Sequence, residues 1–304
     1  MSAGKMHIDE VDVNVSLVGR LLAAQFPQWA NLPIEPVHSA GTDNAIYRVG
    51  SDMAVRLPRR QGVVRQVGKE QQWLPKLAPL LPLAIPVPRA LGTPGEGYPW
   101  HWSVYQWLAG ENATIERIAD PNQAARDLTH FIAALQRIDP VGGPPPGPHN
   151  FFRGVPLVMR DLLTRAAISD LSGMLDTDAV TAAWEVAFQA PAWDGPPVWI
   201  HGDLSPLNLL VQQGRLCAVI DFGGLCVGDP ACDLIVAWNL LEASTRAVLH
   251  AALSVDDATW ARGRGWALSV GLIALPYYQS TNPVLAGLAR RAIDEVLADQ
   301  KHAT

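Results

Sequence analysis

The chain has few cysteines and few charged residues for its 304 residues, and several common sequence signals are missing. Its three cysteines, Cys217, Cys226 and Cys232, form no CxxC pair, and no closely spaced histidines accompany them. Neither a disulfide framework nor a zinc site is therefore expected. No apolar run is long enough to cross a bilayer, and the segment from Met1 to Asp12 contains no signal-peptide core. The sequence thus predicts a cytoplasmic, reduced protein that does not bind membranes.

A basic surface of the kind that binds nucleic acid is also not indicated. The net charge is −6, from 23 lysines and arginines against 29 aspartates and glutamates. Since nucleic-acid binding domains are commonly basic, no nucleic-acid partner is expected. Hydrophobic residues make up 49% of the chain, which is typical of a globular protein, and the length is sufficient for two lobes with cores of their own.

Strand patterns and helix patterns are unevenly distributed along the sequence. The first 108 residues are mostly strand-like, with helical segments among them, whereas the remainder is mostly helical. The predicted helices of the front part are 16–26 and 63–78, and its predicted strands are 36–40, 45–49, 53–57, 85–91 and 100–108. This order predicts an α+β fold with a β-rich front lobe, a helical back lobe and a cleft between them.

Turn and capping signals divide the second half of the chain. Asp120-Pro121 and Asn282-Pro283 each place a capping residue before a proline, which predicts that a helix begins at each proline. The segment 141–150, VGGPPPGPHN, is too rich in proline and glycine to be the interior of a helix or a central strand. It is predicted to be a loop.

The segment 200–233, IHGDLSPLNLLVQQGRLCAVIDFGGLCVGDPACD, contains the residues with the clearest chemical potential. Asp203 follows an apolar, strand-like run and therefore lies in a loop beside buried structure. Two further apolar runs, 209–211 and 216–220, flank the sequence QQGR, which predicts a β-hairpin.

The predicted hairpin places two oxygen-bearing side chains next to each other. Asn208 stands at its entry and Asp221 at its exit, and a hairpin brings its two ends together. Both offer the oxygen ligands that Mg²⁺ prefers, and Asp203 is a third such residue nearby. Phosphoryl transfer needs metal ligands, a carboxylate near the acceptor and accurate positioning, so this set of residues indicates that chemistry.

The motifs HGDxxxxN at 201–208 and DFG at 221–223 resemble the catalytic and metal loops of the aminoglycoside phosphotransferase family. The resemblance implies a protein-kinase-like two-lobe fold, with a nucleotide-binding lobe at 1–105, a hinge at 106–111 and a helical lobe at 112–304. It implies that Asp203 orients and deprotonates the substrate hydroxyl and that Asn208 and Asp221 bind Mg²⁺. His201 is then a structural residue of the loop.

The same resemblance assigns nucleotide contacts in the front lobe. The strand AVRL at 54–57 is similar to the kinase VAIK strand, so Arg56 is expected to bind the α- and β-phosphates in place of lysine, with Glu70 as its ion-pair partner. Arg59, Arg60 and Lys69 are alternatives to Arg56. The loop over the phosphates is predicted at 39–44, with nucleotide contacts from Ser39, Gly41 and Thr42.

Two further segments match the family pattern. In the hinge, backbone groups of Gln106 and Leu108 are expected to bind the adenine. In the sequence GDPACDL at 228–234, Asp229 is predicted to cap the helix that begins at Pro230, and Asp233 to support the catalytic loop by hydrogen bonds.

The resemblance thus implies an enzyme that transfers the γ-phosphoryl group of ATP or GTP, with Mg²⁺, to an alcohol group of a small molecule. An aminoglycoside-like or other hydroxylated antibiotic is the expected acceptor. A metabolic kinase for choline, homoserine or a sugar, and a non-catalytic nucleotide-binding module, are alternatives. A protein kinase is disfavoured, because Gly202 replaces the arginine of HRD and no APE motif follows the DFG sequence.

Overall fold

The computed structural model describes residues 10–37, 41 and 43–303. The chain forms two compact units. The first comprises Met1–Leu80 and Ala84–Ala109, and the second comprises Leu81–Leu83 and Gly110–Thr304.

The first unit is built on a five-stranded antiparallel sheet. Its elements are α1 (Val15–Gln25), β1 (Ile34–Pro36), β2 (Asn44–Val49), β3 (Met53–Pro58), α2 (Val64–Leu77), β4 (Pro88–Gly92) and β5 (Trp102–Gln106). The strand order is β1-β2-β3-β5-β4, so the strand with the expected phosphate-binding arginine is central. The predicted β-rich front of the chain is confirmed.

The core of this unit is formed by alternate residues of the strands and by the apolar face of α1. Inward-facing residues of β2 and β3 alternate with more exposed ones, as expected for a sheet with one covered face. Helix α1 contributes leucines of one face, and its N-cap residue Asn14 accepts a hydrogen bond from the Leu17 amide. Trp102 and Tyr98 are the largest fully buried side chains of the cluster.

The fourth strand is shorter than the sequence pattern predicts. The pattern favours a strand over 85–91, whereas β4 begins at Pro88. Pro86 and Pro88 have no amide hydrogen, so the chain cannot form a regular ladder before that point. Between them, the carbonyl of Val87 still accepts a hydrogen bond from the Gln106 amide, which ties the segment to β5.

The second unit is mainly helical, with short strands that carry the candidate site. Its elements are β6 (Glu111–Asn112), α3 (Pro121–Gln136), α4 (Asp161–Asp170), α5 (Thr177–Phe188), β7 (Val198–Ile200), β8 (Leu209–Gln212), β9 (Arg215–Val219), β10 (Cys226–Gly228), α6 (Val236–Asn239), α7 (Ala243–Leu253), α8 (Asp257–Tyr278) and α9 (Pro283–Ala303). Strands β6, β8 and β9 form one antiparallel sheet, and β7 pairs with β10 in another.

The predicted turn and capping signals of this unit are confirmed. Asp120 caps α3 by accepting a hydrogen bond from the Gln123 amide, and Pro121 is the first helical residue. Asn282 accepts from the Leu285 amide at the start of α9. The hairpin β8–β9 turns at Gln213 and Gly214, both with positive φ, which the right-handed twist of a two-residue hairpin favours. Among the described residues, no helix is long and apolar enough to cross a membrane.

Candidate active site

The loop that carries Asp203 is held by a buried carboxylate. Directly after β7, the amides of His201 and Gly202 donate to the two carboxylate oxygens of Asp233, each at 2.7 Å. Asp233 is fully buried, and burial raises the pKa of its carboxyl. Two short bonds from consecutive amides fix the path of the loop, so the predicted supporting role of Asp233 is confirmed.

His201 links the Asp203 loop to the second half of the hairpin. Its Nδ1 accepts a hydrogen bond from the Asp203 amide at 3.2 Å, so Nε2 carries the proton and donates to the Ile220 carbonyl at 3.0 Å. The ring is fully buried and packs edge-on against Phe222 at 4.6 Å between centroids. His201 therefore supports the two loops from below, as predicted.

A close backbone approach explains why glycine follows His201. Gly202 has φ +81°, and a Cβ atom there would lie 2.5 Å from the Gly224 carbonyl oxygen. A Cβ at Gly224 would in turn lie 2.7 Å from the His201 carbonyl oxygen. There is no room for a side chain at either position, so the arginine of a protein-kinase HRD motif does not fit this loop.

Asp203 is a half-exposed carboxylate, with 47% of its side chain exposed. Its Oδ2 accepts a hydrogen bond from Asn208 Nδ2 at 3.0 Å, and the same nitrogen donates to the Asp203 carbonyl at 2.9 Å. Its Oδ1 lies 3.6 Å from Nη2 of Arg153. With Oδ2 bonded to Asn208, Oδ1 is the oxygen best placed to accept a proton from a ligand.

The hairpin brings Asn208 and Asp221 together, as its sequence pattern predicts. Leu209 pairs with Val219, and the Ile220 amide donates to the Asn208 carbonyl at 2.8 Å, so Asp221 directly follows the residue bonded to Asn208. Asp221 has a left-handed backbone, with φ 61° and ψ 71°. A residue without glycine's freedom in this region is strained, and such strain is concentrated at functional sites.

The chemistry of these two side chains fits a hard cation. Asn208 uses its amide nitrogen for Asp203, which leaves Oδ1 as the atom that can bind a metal. Asp221 adds a carboxylate. Two oxygen donors on the protein are what Mg²⁺ commonly uses when phosphate oxygens and water complete its shell. Within the described part of the chain, no cluster of three or more His, Cys, Asp or Glu side chains could hold a metal by itself.

In the first unit, the predicted ion pair between Arg56 and Glu70 is confirmed. Arg56 Nη1 lies 2.7 Å and 2.9 Å from the two carboxylate oxygens of Glu70. Glu70 is almost completely buried on α2, and it also accepts a hydrogen bond from the Tyr105 hydroxyl of β5. Once its amide is turned to satisfy its neighbours, Asn44 accepts from Nε and Nη2 of Arg56 at 3.1 Å and 2.9 Å.

The alternative cations of this unit have other partners. Arg59 pairs with Glu10 at 3.5 Å, and Arg60 pairs with Asp43. Lys69, on α2, also has an interaction partner. The buried, carboxylate-bound arginine of the central strand is therefore Arg56.

The remaining residues predicted to contact the nucleotide are Ser39, Gly41, Thr42, Gln106 and Leu108. Ser39 and Thr42 lie outside the described residues, and Gly41 is exposed. Gln106 ends β5, and its amide is already bonded to the Val87 carbonyl, so its backbone can offer a ligand only the carbonyl oxygen. Leu108 is half-buried just after the strand.

Sequence reasoning missed Arg153 and Asn150, which lie in a segment without a recognisable motif. Asn150 is fully buried, and its Nδ2 donates to the carbonyls of Arg153 and Gly224 at 3.0 Å and 3.2 Å. This segment begins at the last residue of the proline-rich loop, and only the folded chain shows that it touches the loops around Asp203 and Asp221. The loop's own end, Pro148–Asn150, is a single helical turn.

Asp229 has its predicted capping role and also an ion-pair partner that was not predicted. It caps the turn at Pro230 by accepting from the Ala231 amide at 2.9 Å, as predicted. It also forms a fully buried ion pair with Arg262 of α8, at 2.9 Å. No motif or spacing predicts this partner, which is 33 residues away along the chain.

An antiparallel sheet carrying a buried Arg–Glu pair, together with a helical unit whose HGDLSPLN loop and DFG turn are joined by a hairpin, defines a kinase-like phosphotransferase fold. The model of the family described as "Phosphotransferase enzyme family", abbreviated APH, matches residues 35–266. The chain belongs to this family of enzymes.

Individual relatives are distant. The structure of a GDP complex of wild-type aminoglycoside 2'-phosphotransferase-IIIa aligns with a TM-score of 0.72 and 20% identity, over 95% of this chain and all of the other. Apo macrolide 2'-phosphotransferase MphH from Brachybacterium faecium aligns with a TM-score of 0.60 and 23% identity, over 92% and 98% of the two chains. The uncharacterized protein YcbJ of Bacillus subtilis (strain 168) is 24% identical over 232 residues, which are 70% of this chain and 71% of YcbJ.

Proposed function

We propose that the protein transfers the γ-phosphoryl group of ATP or GTP to a hydroxyl group of a small molecule, with Mg²⁺, and that a hydroxylated antibiotic is the acceptor. The observation that carries the proposal is the arrangement around Asp203. A half-exposed carboxylate is fixed by Asn208 through one oxygen and faces Arg153 at ion-pair distance with the other, next to a hairpin end that carries Asp221.

Asp203 is the proposed catalytic base. The acceptor hydroxyl donates to Oδ1, which orients a lone pair of the hydroxyl oxygen toward the γ-phosphorus, and the proton passes to the carboxylate as the new O–P bond forms. His201 and Asp233 do not touch the reacting atoms. They hold the Asp203 amide and the two amides before it, so the carboxylate is positioned before substrates arrive.

Asn208 and Asp221 are the proposed metal ligands. When bound, Mg²⁺ neutralises phosphate charge that the protein would otherwise have to balance alone. The bond from Asn208 to Asp203 then connects the base and the metal ligand through one side chain, which keeps the acceptor and the phosphoryl group in a constant relation.

The nucleotide is proposed to use Arg56, Glu70, Gln106 and Leu108, with Ser39, Gly41 and Thr42 over the phosphates. Glu70 and Asn44 together bond all three guanidinium nitrogens of Arg56 and hold the group in one orientation, which suits a cation that contacts phosphate with a fixed geometry. The GDP complex of the similar aminoglycoside 2'-phosphotransferase-IIIa supports a purine nucleotide as donor.

Within the class of hydroxylated antibiotics, an apolar acceptor surface is favoured by the segment after Asn150. This segment exposes six large apolar side chains: Phe151, Phe152, Val158, Met159, Leu162 and Leu163. Exposed apolar residues at this density are typical of ligand or partner surfaces. The side-chain amide of Asn150 donates to the Gly224 carbonyl, so the start of the segment lies beside the candidate site. A macrolide offers more apolar surface to such a segment than an aminoglycoside does.

A nucleotide-consumption screen tests the proposal. Purified protein, Mg²⁺ and either ATP or GTP are incubated with aminoglycosides, macrolides, amino alcohols and sugars, and the Asp203→Asn variant serves as control. We expect acceptor-dependent turnover that the control loses, with macrolides above aminoglycosides. Turnover on choline, homoserine or a sugar alone would instead establish a metabolic kinase, and nucleotide binding without turnover would favour a binding module.

A further inference from the structure

Arg153 places a guanidinium group with unused donors beside the proposed base. Its Nη2 is 3.6 Å from Oδ1 of Asp203, which is an ion-pair distance but too long for a hydrogen bond. Its Nη1 is buried and has no hydrogen-bond partner, and only 16% of the side chain is exposed. Leaving buried donors unpaired is costly, so their presence here requires a reason.

The position of Arg153 is fixed by the two loops of the site. Its carbonyl accepts hydrogen bonds from Asn150 Nδ2 at 3.0 Å and from Cys226 Sγ at 3.3 Å. Its Cβ lies 3.2 Å from the point where a Cβ at Gly202 would stand. Because Asn150 also bonds the Gly224 carbonyl, the backbone of Arg153 is tied to the loop with Gly224 through Asn150 and to β10 through Cys226.

The charged side chains around Arg153 do not fully balance its positive charge. Asp203, half-exposed, is the one carboxylate that an ion pair joins to Arg153 among the residues the structure describes. Arg160, mostly buried, is a second cation nearby: burial lowers its pKa to about 10, and the charge of Arg153 contributes to this lowering. The thiol of Cys232 also feels the charge of Arg153, but burial raises its pKa, so it stays neutral. The surroundings of Arg153 therefore favour the arrival of an anion.

The reaction brings an anion to this point. The acceptor hydroxyl must approach Oδ1 of Asp203, because Oδ2 is bonded to Asn208, and Nη2 of Arg153 faces the same Oδ1. The phosphorus that the hydroxyl oxygen attacks is one bond further away. Its non-bridging oxygens then come within reach of a guanidinium group, whose planar set of donors matches a phosphoryl group.

We propose, on the basis of the phosphotransferase function above, that Arg153 is a further catalytic residue that donates hydrogen bonds to the non-bridging oxygens of the phosphoryl group during transfer. In this step the acceptor oxygen forms a bond to the γ-phosphorus, and the bond from phosphorus to the β,γ-bridging oxygen breaks. The electron pair stays on the departing diphosphate, and the hydroxyl proton goes to Asp203. Arg153 keeps its protons and stabilises the negative charge on the phosphoryl group while it is transferred.

Variants of Arg153 separate this role from a structural one. Arg153→Met keeps an unbranched stem and removes the charge, and Arg153→Lys keeps the charge and removes the planar fork. Arg165→Met is the matched control, because Arg165 lies in the same unit and already has two carboxylate partners, Asp161 and Glu185. Thermal unfolding of the ligand-free protein is the first readout. We expect the melting temperature of Arg153→Met to stay unchanged or to rise by about 2–4 °C. A fall larger than that of the control would mean that Arg153 is structural.

Binding of a transition-state mimic is the second readout. Nucleoside diphosphate with Mg²⁺, alone and with aluminium fluoride, is titrated into each protein. We expect Arg153→Met to bind the diphosphate as the wild type does, to lose roughly 10²-fold in affinity for the fluoride complex, and to recover part of it in Arg153→Lys. An equal affinity of wild type and variant for the fluoride complex would overturn the proposal.

Turnover distinguishes this proposal from the proposed function. We expect kcat of Arg153→Met to fall roughly 10²–10³-fold, while KM for the nucleotide changes little. If the wild type phosphorylates no acceptor, the proposed function fails, but the fluoride titration still decides the role of Arg153. If turnover of Arg153→Met equals that of the wild type, Arg153 is not catalytic although the enzyme is a phosphotransferase.

Discussion

Arg56 in the first unit and Arg153 in the second are buried to the same extent, with 15% and 16% of their side chains exposed, yet their partners differ completely. Arg56 is bonded to both oxygens of a buried carboxylate. Arg153 has a carboxylate at 3.6 Å and a buried nitrogen without a partner. The guanidinium group of Arg56 therefore has its carboxylate partner before any ligand binds, whereas that of Arg153 still has a donor without a partner.

This difference indicates how each unit should respond to substitution. Around Arg56, the charges balance one another, so removing one residue leaves another buried and unpaired and should lower stability. Around Asp203 and Arg153, the polar groups are partly exposed or unsatisfied, so removing one should affect turnover more than folding. The predictions below test that contrast.

The largest effect is expected for Asp203→Asn. We expect turnover to fall roughly 10²–10⁴-fold, because asparagine cannot accept the hydroxyl proton, while nucleotide affinity remains nearly intact. The melting temperature should stay close to that of the wild type, since asparagine can still accept the bond from Asn208. Steady-state kinetics, nucleotide titration and thermal unfolding check the three parts. A similar loss of nucleotide binding would show that Asp203 has a different role.

Glu70→Ala should show the opposite pattern. The variant leaves Arg56 and the Tyr105 hydroxyl without their buried partner, so we expect the free energy of unfolding to fall by about 3 kcal/mol. Glu96→Ala is the matched control, because its ion pair with Arg20 is exposed and should contribute below about 1 kcal/mol. Denaturant titration measures both. Equal changes in the two variants would break the contrast between the units.

Asp221→Ala tests the metal part of the site. Mg²⁺ should increase the affinity of the wild type for the nucleotide, and we expect this increase to be roughly 100-fold or more smaller in the variant. Even the loss of a residue that only orients a metal ligand commonly lowers metal affinity or activity 10–100-fold. Isothermal titration with and without Mg²⁺ gives the value. An unchanged Mg²⁺ dependence would place the metal at other residues.

The smallest effect is expected for Arg56→Ala on ligand binding. Loss of a hydrogen bond to a charged group should weaken binding of the nucleoside triphosphate about tenfold, whereas adenosine, which has no phosphates, should be affected far less. Competition titrations with the two ligands give the ratio. If the variant loses the same affinity for both ligands, Arg56 does not contact the phosphates. The contrast between the two units is then supported by the stability measurements alone.

Local signals in the sequence account for most of what could be predicted. The hairpin around Asn208 and Asp221 is specified by two apolar runs and a glycine turn. The starts of α3 and α9 are specified by an aspartate or an asparagine directly before a proline. Glu70 could be paired with Arg56 only because the family pattern connects a helix carboxylate with a strand cation, and the bond is present.

The residues that sequence reasoning missed depend on contacts between distant parts of the chain. Arg153 carries no motif, and its place beside Asp203 follows from the bond of Asn150 to the Gly224 carbonyl, 74 residues further on. The partner of Asp229 is likewise set by how α8 packs, not by spacing. The boundary of β4 was predicted too early because an apolar run does not reveal which amides the prolines remove.

The tight contact between Gly202 and Gly224 also has a consequence for engineering the enzyme. Because each glycine occupies the space that a side chain of the other would need, any residue placed there displaces the loops that carry Asp203 and Asp221 together. A mutant library that includes these positions would consist mostly of inactive clones. The exposed positions after Asn150, such as Phe151 and Leu162, can vary without touching that contact, so diversity aimed at a new acceptor is best concentrated there.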